Sequence, residues 1–329
     1  YNIKAINQTF KTKANMSDNK NTPPASQNED VTNSDAPEVE MKVEAEDSKG
    51  KPKIVEVIEF DEKILRTEED IWSHAFDESN DIEIPSYLDN PMKTGLGYMD
   101  YILGEAGFFP TQCTVLTGDP GSGKTTLALE MASSMRGLGT TVAFASCEMR
   151  KEMVAKFQKR LKARHPVKVI TDKIIRTKRG STRIPFASHV PTLIETCERI
   201  RAQQPDRPFL LIVDSLQELD DGYFRSGRKT SKTAYRALDQ LNQWCKQTEC
   251  GLVIIGQVTK SGQMAGSNGM RHLIDAHLHL SVETKDDEMR GTRILQATKN
   301  RFAGCGQLVF LQMKPSGLHE IARIKEGSM

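Results

Sequence analysis

Between residues 113 and 313, short apolar runs alternate with longer amphipathic stretches. Residues 113–116 (CTVL), 141–146 (TVAFAS), 209–213 (FLLIV) and 252–255 (LVII) are apolar at consecutive positions and too short for helices. That is the pattern of strands buried on both faces of a sheet. Between them, residues 127–131, 149–164, 191–203 and 230–248 mix apolar and charged residues in helical fashion, predicting helices that return the chain to the same edge. The expected fold is α/β, a mostly parallel twisted sheet with helices on both faces. Residues 94–107 (TGLGYMDYILGEAG) place Leu96, Met99, Ile102 and Leu103 at near-helical spacing and end in glycine, predicting a short helix and turn. The last stretch differs. Residues 276–282, 292–298 and 308–313 read as strands separated by polar turns, so the sheet is expected to finish in antiparallel C-terminal hairpins. Residues 165–189 have no clear period, and their basic stretch 173–183 reads as a solvated loop.

The first 90 residues have another texture. Residues 1–53 are expected to form a disordered, polar and acidic tail, because Asn, Ser, Pro, Glu, Asp and Lys cannot bury enough surface to offset chain entropy. Translation is expected to start at Met16. Residues 54–90 regain apolar content, with Ile71, Trp72 and Phe76 as a small amphipathic cluster, and read as a linker or docking segment before an ordered domain at 91–329.

The formal net charge of +1 hides an asymmetry: −14 over residues 16–90 and +12 over 91–329. An acidic arm thus precedes a basic body suited to a polyanionic partner. The six cysteines include no C-x-x-C pair, which points away from a zinc ribbon or a disulfide framework. With no apolar run of membrane-spanning length and no secretory signal, the expected location is cytoplasmic, without membrane association.

Residues 118–126 (GDPGSGKTT) carry the clearest chemistry. Gly118, Gly123, Lys124 and Thr125 fit G-x-x-x-x-G-K-[ST], with a predicted strand before and a helix after. In that order, the loop of Gly118, Asp119, Pro120, Gly121, Ser122, Gly123, Lys124, Thr125 and Thr126 wraps a polyphosphate at a positive helix end, with the backbone N–H groups of all but Pro120 available as donors. Lys124 brings a point charge, and the Thr125 hydroxyl suits Mg2+. Asp214 closes the apolar run 209–213, at the end of a strand where such sheets bind ligands, and is a candidate to hold Mg2+ through water.

Together the motifs resemble the ATPase core of the RecA-like superfamily, most closely the RadA/Sms branch of DNA repair proteins, which is related to DnaB-type helicases. The resemblance runs from about residue 94 to 318 through TGLGYMDYILG, GDPGSGKTT, FASCE, FLLIVDSLQEL, IIGQVTKSGQMAG, HLIDAHLHL and ATKNRF. It implies a P-loop NTPase using ATP and Mg2+, with Glu148 activating the attacking water and Gln257 sensing the γ-phosphate. The plainer role of Glu148, an acid capping the helix that begins near Met149, is compatible with this one. Lys299 and Arg301 would reach a neighbour's nucleotide in trans, which implies a homo-oligomer of hexameric-ring type.

Two loops match the family's DNA loops. One offers Tyr223, Phe224, Arg225, Arg228, Lys229 and Lys232, the other Lys260 and Arg271, as cations for phosphate with aromatics for stacking on single-stranded DNA. There are departures. Gln257 stands where RadA proteins more often carry His, Ala303 precedes Gly304 where Gly usually follows Phe, and no four-cysteine zinc module or Lon-like domain is found. His272, His277, His279 and Asp275 are more simply explained by a half-buried strand than by a metal site. The implied function is a DNA-stimulated ATPase, a single-stranded DNA motor or branch-migration factor in recombination, repair or replication. The alternative is a KaiC-like ATP-gated scaffold or regulator without DNA motor activity. A small-molecule kinase or GTPase fits less well, since no N-K-x-D signature or acceptor lid is present.

Overall fold

The computed structural model describes residues 39–46, 52–60, 82, 84–177, 180–223, 230–257 and 269–325, in two compact units, Tyr1–Glu83 and Ile84–Met329. In the first unit, β1 (Val39–Glu46) and β2 (Pro52–Phe60) pair antiparallel as a hairpin. Residues 39–46 and 52–53 of the expected tail thus lie in strands, and the rest of it lies outside the described residues. The sequence VEMKVEAE alternates apolar and charged positions, a period-two signal that its acidic composition concealed.

The second unit runs α1 (Ser86–Asp89), α2 (Gly97–Ile102), β3 (Cys113–Gly118), α3 (Lys124–Gly137), β4 (Thr141–Ser146), α4 (Lys151–Arg160), β5 (Lys168–Thr171), β6 (Lys173–Thr177) and β7 (Gly180–Ile184). It continues through α5 (Val190–Arg201), β8 (Phe209–Asp214), α6 (Ser231–Gln247), β9 (Gly251–Ile255) and α7 (Met270–Leu273). Strands β10 (Ala276–Val282), β11 (Arg293–Asn300), β12 (Gln307–Lys314) and β13 (Gly317–Lys325) finish the chain.

Nine strands form one sheet in the order β13-β12-β11-β10-β3-β9-β8-β4-β5. From β10 to β5 all neighbours are parallel, and from β10 to β13 all are antiparallel.

The continuous apolar runs divide by alternation between two cores. Leu116, Phe144, Ile212 and Ile255 pack with Leu127, Met131 and Val154 on the face covered by α3 and α4. Val115, Ala145, Val213 and Ile254 pack with Leu193, Leu238 and Trp244 on the face covered by α5 and α6. Burial on both faces is why these strands lack a polar side.

Two features escaped the sequence pattern. β13 is a further antiparallel strand, exposed along most of its length apart from Gly317 and Leu318, so its sequence GLHEIARIK lacks a buried stripe. The basic stretch read as a solvated loop is the hairpin of β6 and β7, a separate two-stranded sheet. No helix among the described residues is long and apolar enough to cross a membrane.

Candidate functional site

The parallel strands all end on one edge, and four consecutive ones in the sheet, β3, β9, β8 and β4, bring the predicted groups there. After β3 the loop turns into α3 through Gly123, which caps the helix at φ 111°. A side chain at Gly118 would collide with the Leu280 carbonyl, 2.1 Å from the position of its Cβ. Glycine is therefore required at both ends of this loop, at one for its left-handed backbone and at the other for close approach.

Lys124 Nζ donates to the carbonyls of Gly118 at 2.7 Å and Asp119 at 2.9 Å, so the ammonium sits across the mouth of the loop. Burial lowers its pKa, opposed by Asp214, Asp119 and Glu148. Asp119, Pro120 and Gly121 are exposed at the loop's tip, and Thr126 is buried beneath it. Ser122 Oγ is buried and without a protein partner. An orphaned hydroxyl inside a glycine cradle fits a polyphosphate ligand.

Asp214 is 4% exposed and accepts a 2.8 Å hydrogen bond from the Thr125 hydroxyl. Burial pushes its carboxyl up to about 6; Glu148 adds to the rise, and Thr125 and Lys124 oppose it. A hydroxyl and a buried carboxylate side by side form a donor set suited to Mg2+.

The register of β4 on β8 sets Ser146 beside Asp214, and Cys147 N–H donates to the Asp214 carbonyl at 2.7 Å. Two residues on, Glu148 accepts a short hydrogen bond from the Ser215 hydroxyl. Glu148 does not cap α4. The cap position is Arg150, which makes no side-chain bond to the helix, and Ser146 takes the Met149 N–H instead. Ser215 was not singled out in the sequence; its place directly after Asp214 was the available signal. Gln257, exposed, follows β9 between the phosphate loop's strand and that of Asp214.

Lys299 and Arg301 lie elsewhere. β11 runs antiparallel to β10, so Lys299 pairs with His277, which in turn is level with Val115 on β3. Arg301 N–H donates to the Asp275 carbonyl, and Asp275 N–H to that of Cys113, five residues before Gly118. At about 3.3 Å per residue, Arg301 is about 16 Å along the strand from the loop of its own chain. Both cations are held by the segment around α7. Lys299 Nζ donates to the carbonyls of Arg271 and Ile274, each at 2.6 Å. Arg301 donates to the His272 carbonyl at 3.2 Å and pairs with Asp275 at 2.9 Å. Asp275 also accepts the Cys113 N–H at 2.9 Å, and its side chain is 6% exposed. It is the organiser of this corner, a role its sequence context did not signal. Phe302 stacks on Phe109 with ring centroids 4.8 Å apart.

His277 and His279 are engaged with hydroxyls. His277 and His279 both meet Thr117 Oγ1, at 2.8 and 3.0 Å, and burial pushes His277 down to about 4. Among the described residues, no group of three or more His, Cys, Asp or Glu could hold a metal.

Of the nucleic-acid candidates, Tyr223 is 72% exposed, Lys232 is exposed on the first turn of α6, and Arg271 is exposed on α7. Phe224, Arg225, Arg228, Lys229 and Lys260 lie outside the described residues.

A phosphate loop on β3, a buried carboxylate on β8 and a second acid after β4, with antiparallel strands closing the sheet, define a P-loop ATPase domain of RecA-like fold. The chain belongs to the KaiC ATPase family, whose profile matches residues 92–310. It is 28% identical over 233 residues to the DNA repair protein RadA of Brucella abortus and 29% over 240 residues to that of Mycobacterium tuberculosis. These alignments cover 71% and 72% of this chain but 46% and 45% of the relatives, so the chain spans about half the length of the curated relatives it matches. In fold it resembles a DnaB-like replicative helicase, with TM-score 0.57 at 15% identity over 75% of this chain and 65% of the helicase. It also resembles a KaiC-like protein of Pyrococcus horikoshii, with TM-score 0.51 at 16% identity over 70% of this chain and 99% of that protein.

Proposed function

We propose that the chain is an ATP- and Mg2+-dependent ATPase that works on single-stranded DNA as a cytoplasmic ring of identical subunits, hexameric by the family resemblance. Its task would be that of a DNA motor or branch-migration factor in recombination, repair or replication. The observation that carries this reading is the separation of the two halves of the site. The phosphate loop, Asp214 and Glu148 share one edge of the sheet, while Lys299 and Arg301 are set back along the strand by about 10 Å and about 16 Å. Such cations serve hydrolysis only when they meet a second subunit's nucleotide, which makes turnover depend on assembly.

Within one subunit, Lys124 and the loop amides hold the phosphates, and Thr125 with Asp214 holds Mg2+. The metal's contribution is charge neutralisation on the phosphate oxygens. Glu148 orients the attacking water and takes its proton, and Ser215 holds the carboxylate in place. Gln257, just after the strand between, registers the terminal phosphate. The RadA relatives are named as DNA repair proteins, and the exposed Tyr223 and Lys232 supply the stacking and charge that a single strand needs.

Turnover measured with and without single-stranded DNA tests the assignment. Stimulation is expected; no binding and no change at low salt would refute it and favour the ATP-gated scaffold that the KaiC family match also accommodates. Mixing Arg301→Ala with Lys124→Ala subunits should restore part of the activity, since each retains one intact half. No rescue in rings shown to have mixed would refute action in trans.

A further inference from the structure

The hairpin β6–β7 is unexplained by the ATPase site. Residues 173–184 (KIIRTKRGSTRI) contain five basic residues and no acid, unlike a solvated hairpin of mixed charge. Lys173, Ile174, Ile175 and Arg176 are all exposed, the two isoleucines at 60% and 46%. Cross-strand register sets Lys173 and Ile175 on one face with Thr182 and Ile184. It sets Ile174 and Arg176 on the other with Ser181 and Arg183. Each face therefore offers a cation beside an apolar side chain.

The base of the hairpin is rigid. Asp172 accepts from Ala187 N–H at 2.8 Å, Ser188 N–H at 3.1 Å, the Ser188 hydroxyl at 2.6 Å and Arg183 Nε at 2.8 Å. The same segment is stitched to the start of the first nucleic-acid candidate loop. Asp220 N–H donates to the Ser188 carbonyl at 2.7 Å, and Val190 N–H to the Asp220 carbonyl at 2.9 Å. Next to it, Asp221 is fully buried and paired with Arg236 of α6, and Tyr223 follows in the open. Hairpin and loop thus leave the same edge of the sheet from one shared footing.

We propose that the β6–β7 hairpin is a second nucleic-acid-binding element, which extends the surface of the Tyr223 loop and takes the backbone and bases of a single strand. A strand that follows the hairpin's edge meets both faces: Lys173 neutralises a phosphate and Ile175 packs against an unstacked base on one, and Arg176 and Ile174 do the same on the other. A single strand is required because in a duplex the base faces are stacked away. This role rests on the proposed DNA-binding function and adds a contact outside the two loops that the family resemblance supplies.

Titration of a labelled oligo(dT) over a salt series tests it, comparing wild type with Lys173→Gln/Arg176→Gln and with Ile174→Ser/Ile175→Ser. All three proteins should share one DNA-free ATPase rate, because these side chains are outside the ATPase site, and should melt within about 4 °C of one another, since the Lys173 ammonium 5.4 Å from the Phe186 ring centroid contributes about 0.5–1 kcal/mol. Losing two phosphate contacts should reduce the slope of log affinity against log salt by roughly 1.4 and, at about 0.1 M salt, weaken binding roughly 25-fold. The isoleucine variant should bind more weakly with an unchanged slope. If wild type binds and the charge variant keeps the same slope and affinity, the hairpin's role is refuted and the DNA function stands. If wild type binds no oligonucleotide at low salt, both are refuted.

Discussion

Replacing Asp214 by asparagine isolates the cost of holding a carboxylate beneath the phosphate loop. The folded protein raises this carboxyl from 3.8 to about 6, first through burial and further through Glu148, against the Thr125 hydroxyl and Lys124. The folded state therefore binds this proton more tightly than the unfolded chain. Between about pH 4 and pH 6 the unfolded state carries fewer protons at this site, so the site's contribution to stability falls as pH rises and is fully lost above about 6. A shift of about two units corresponds to about 3 kcal/mol, and at 4% exposure solvent screening takes little from it. Asparagine keeps an acceptor for the Thr125 hydroxyl without the charge.

In urea denaturation with chelator present, Asp214→Asn should be about 3 kcal/mol more stable than wild type at about pH 8, with the gap closing towards pH 4. Adding Mg2+ should then stabilise the wild type and not the variant, since only the carboxylate gains from the cation. A difference that does not change with pH, or a wild type that is the more stable protein at neutral pH without Mg2+, would refute a strained carboxylate at this position.

Other residues give separate readings. Glu148→Gln should preserve nucleotide affinity while slowing turnover by roughly 100-fold or more, measured in single-turnover hydrolysis; near-normal rates would remove Glu148 from the chemistry. Asp275→Asn breaks the charged bond to Arg301 and should lower stability by about 2 kcal/mol in denaturant, with nucleotide affinity unchanged and hydrolysis reduced. Unchanged hydrolysis would make that pairing purely structural. Gly123→Ala forces a side chain onto a backbone at φ 111°, with Met313 Cε 2.6 Å from the new Cβ. It should cost about 1–2 kcal/mol in the same assay, together with weaker nucleotide binding.

The parallel core was legible because its signals are local. Apolar runs such as FLLIV are too short for helices and read as strands buried on both faces, and GDPGSGKTT carries its own strand, turn and helix. What was not legible depends on partners distant in sequence. Ser215 matters because β4 lies beside β8 in a register that brings Glu148 to it. Asp275 matters because β10 lies beside β3 and β11 beside β10, so one carboxylate meets both the Cys113 N–H and Arg301. β13 and the β6–β7 hairpin were missed for another reason. Neither buries a continuous stripe, so period and hydrophobicity, the signals that reveal core strands, are absent from them.

The segment around α7 ties the two halves of the reading together. It follows directly on residues 258–268, part of the second nucleic-acid candidate loop, and its carbonyls at Arg271, His272 and Ile274 are the acceptors that hold Lys299 and Arg301. A displacement of this single turn moves the carbonyl acceptors of both cations at once, because all three lie within the same few residues. If the proposed ring forms and the pair acts in trans, a DNA strand that pulls on that loop would move Lys299 and Arg301, and a phosphate that captures them would move the loop. The coupling is reciprocal by thermodynamic necessity, so DNA affinity should rise with occupancy of the neighbouring nucleotide site by the same factor as nucleotide affinity rises with DNA.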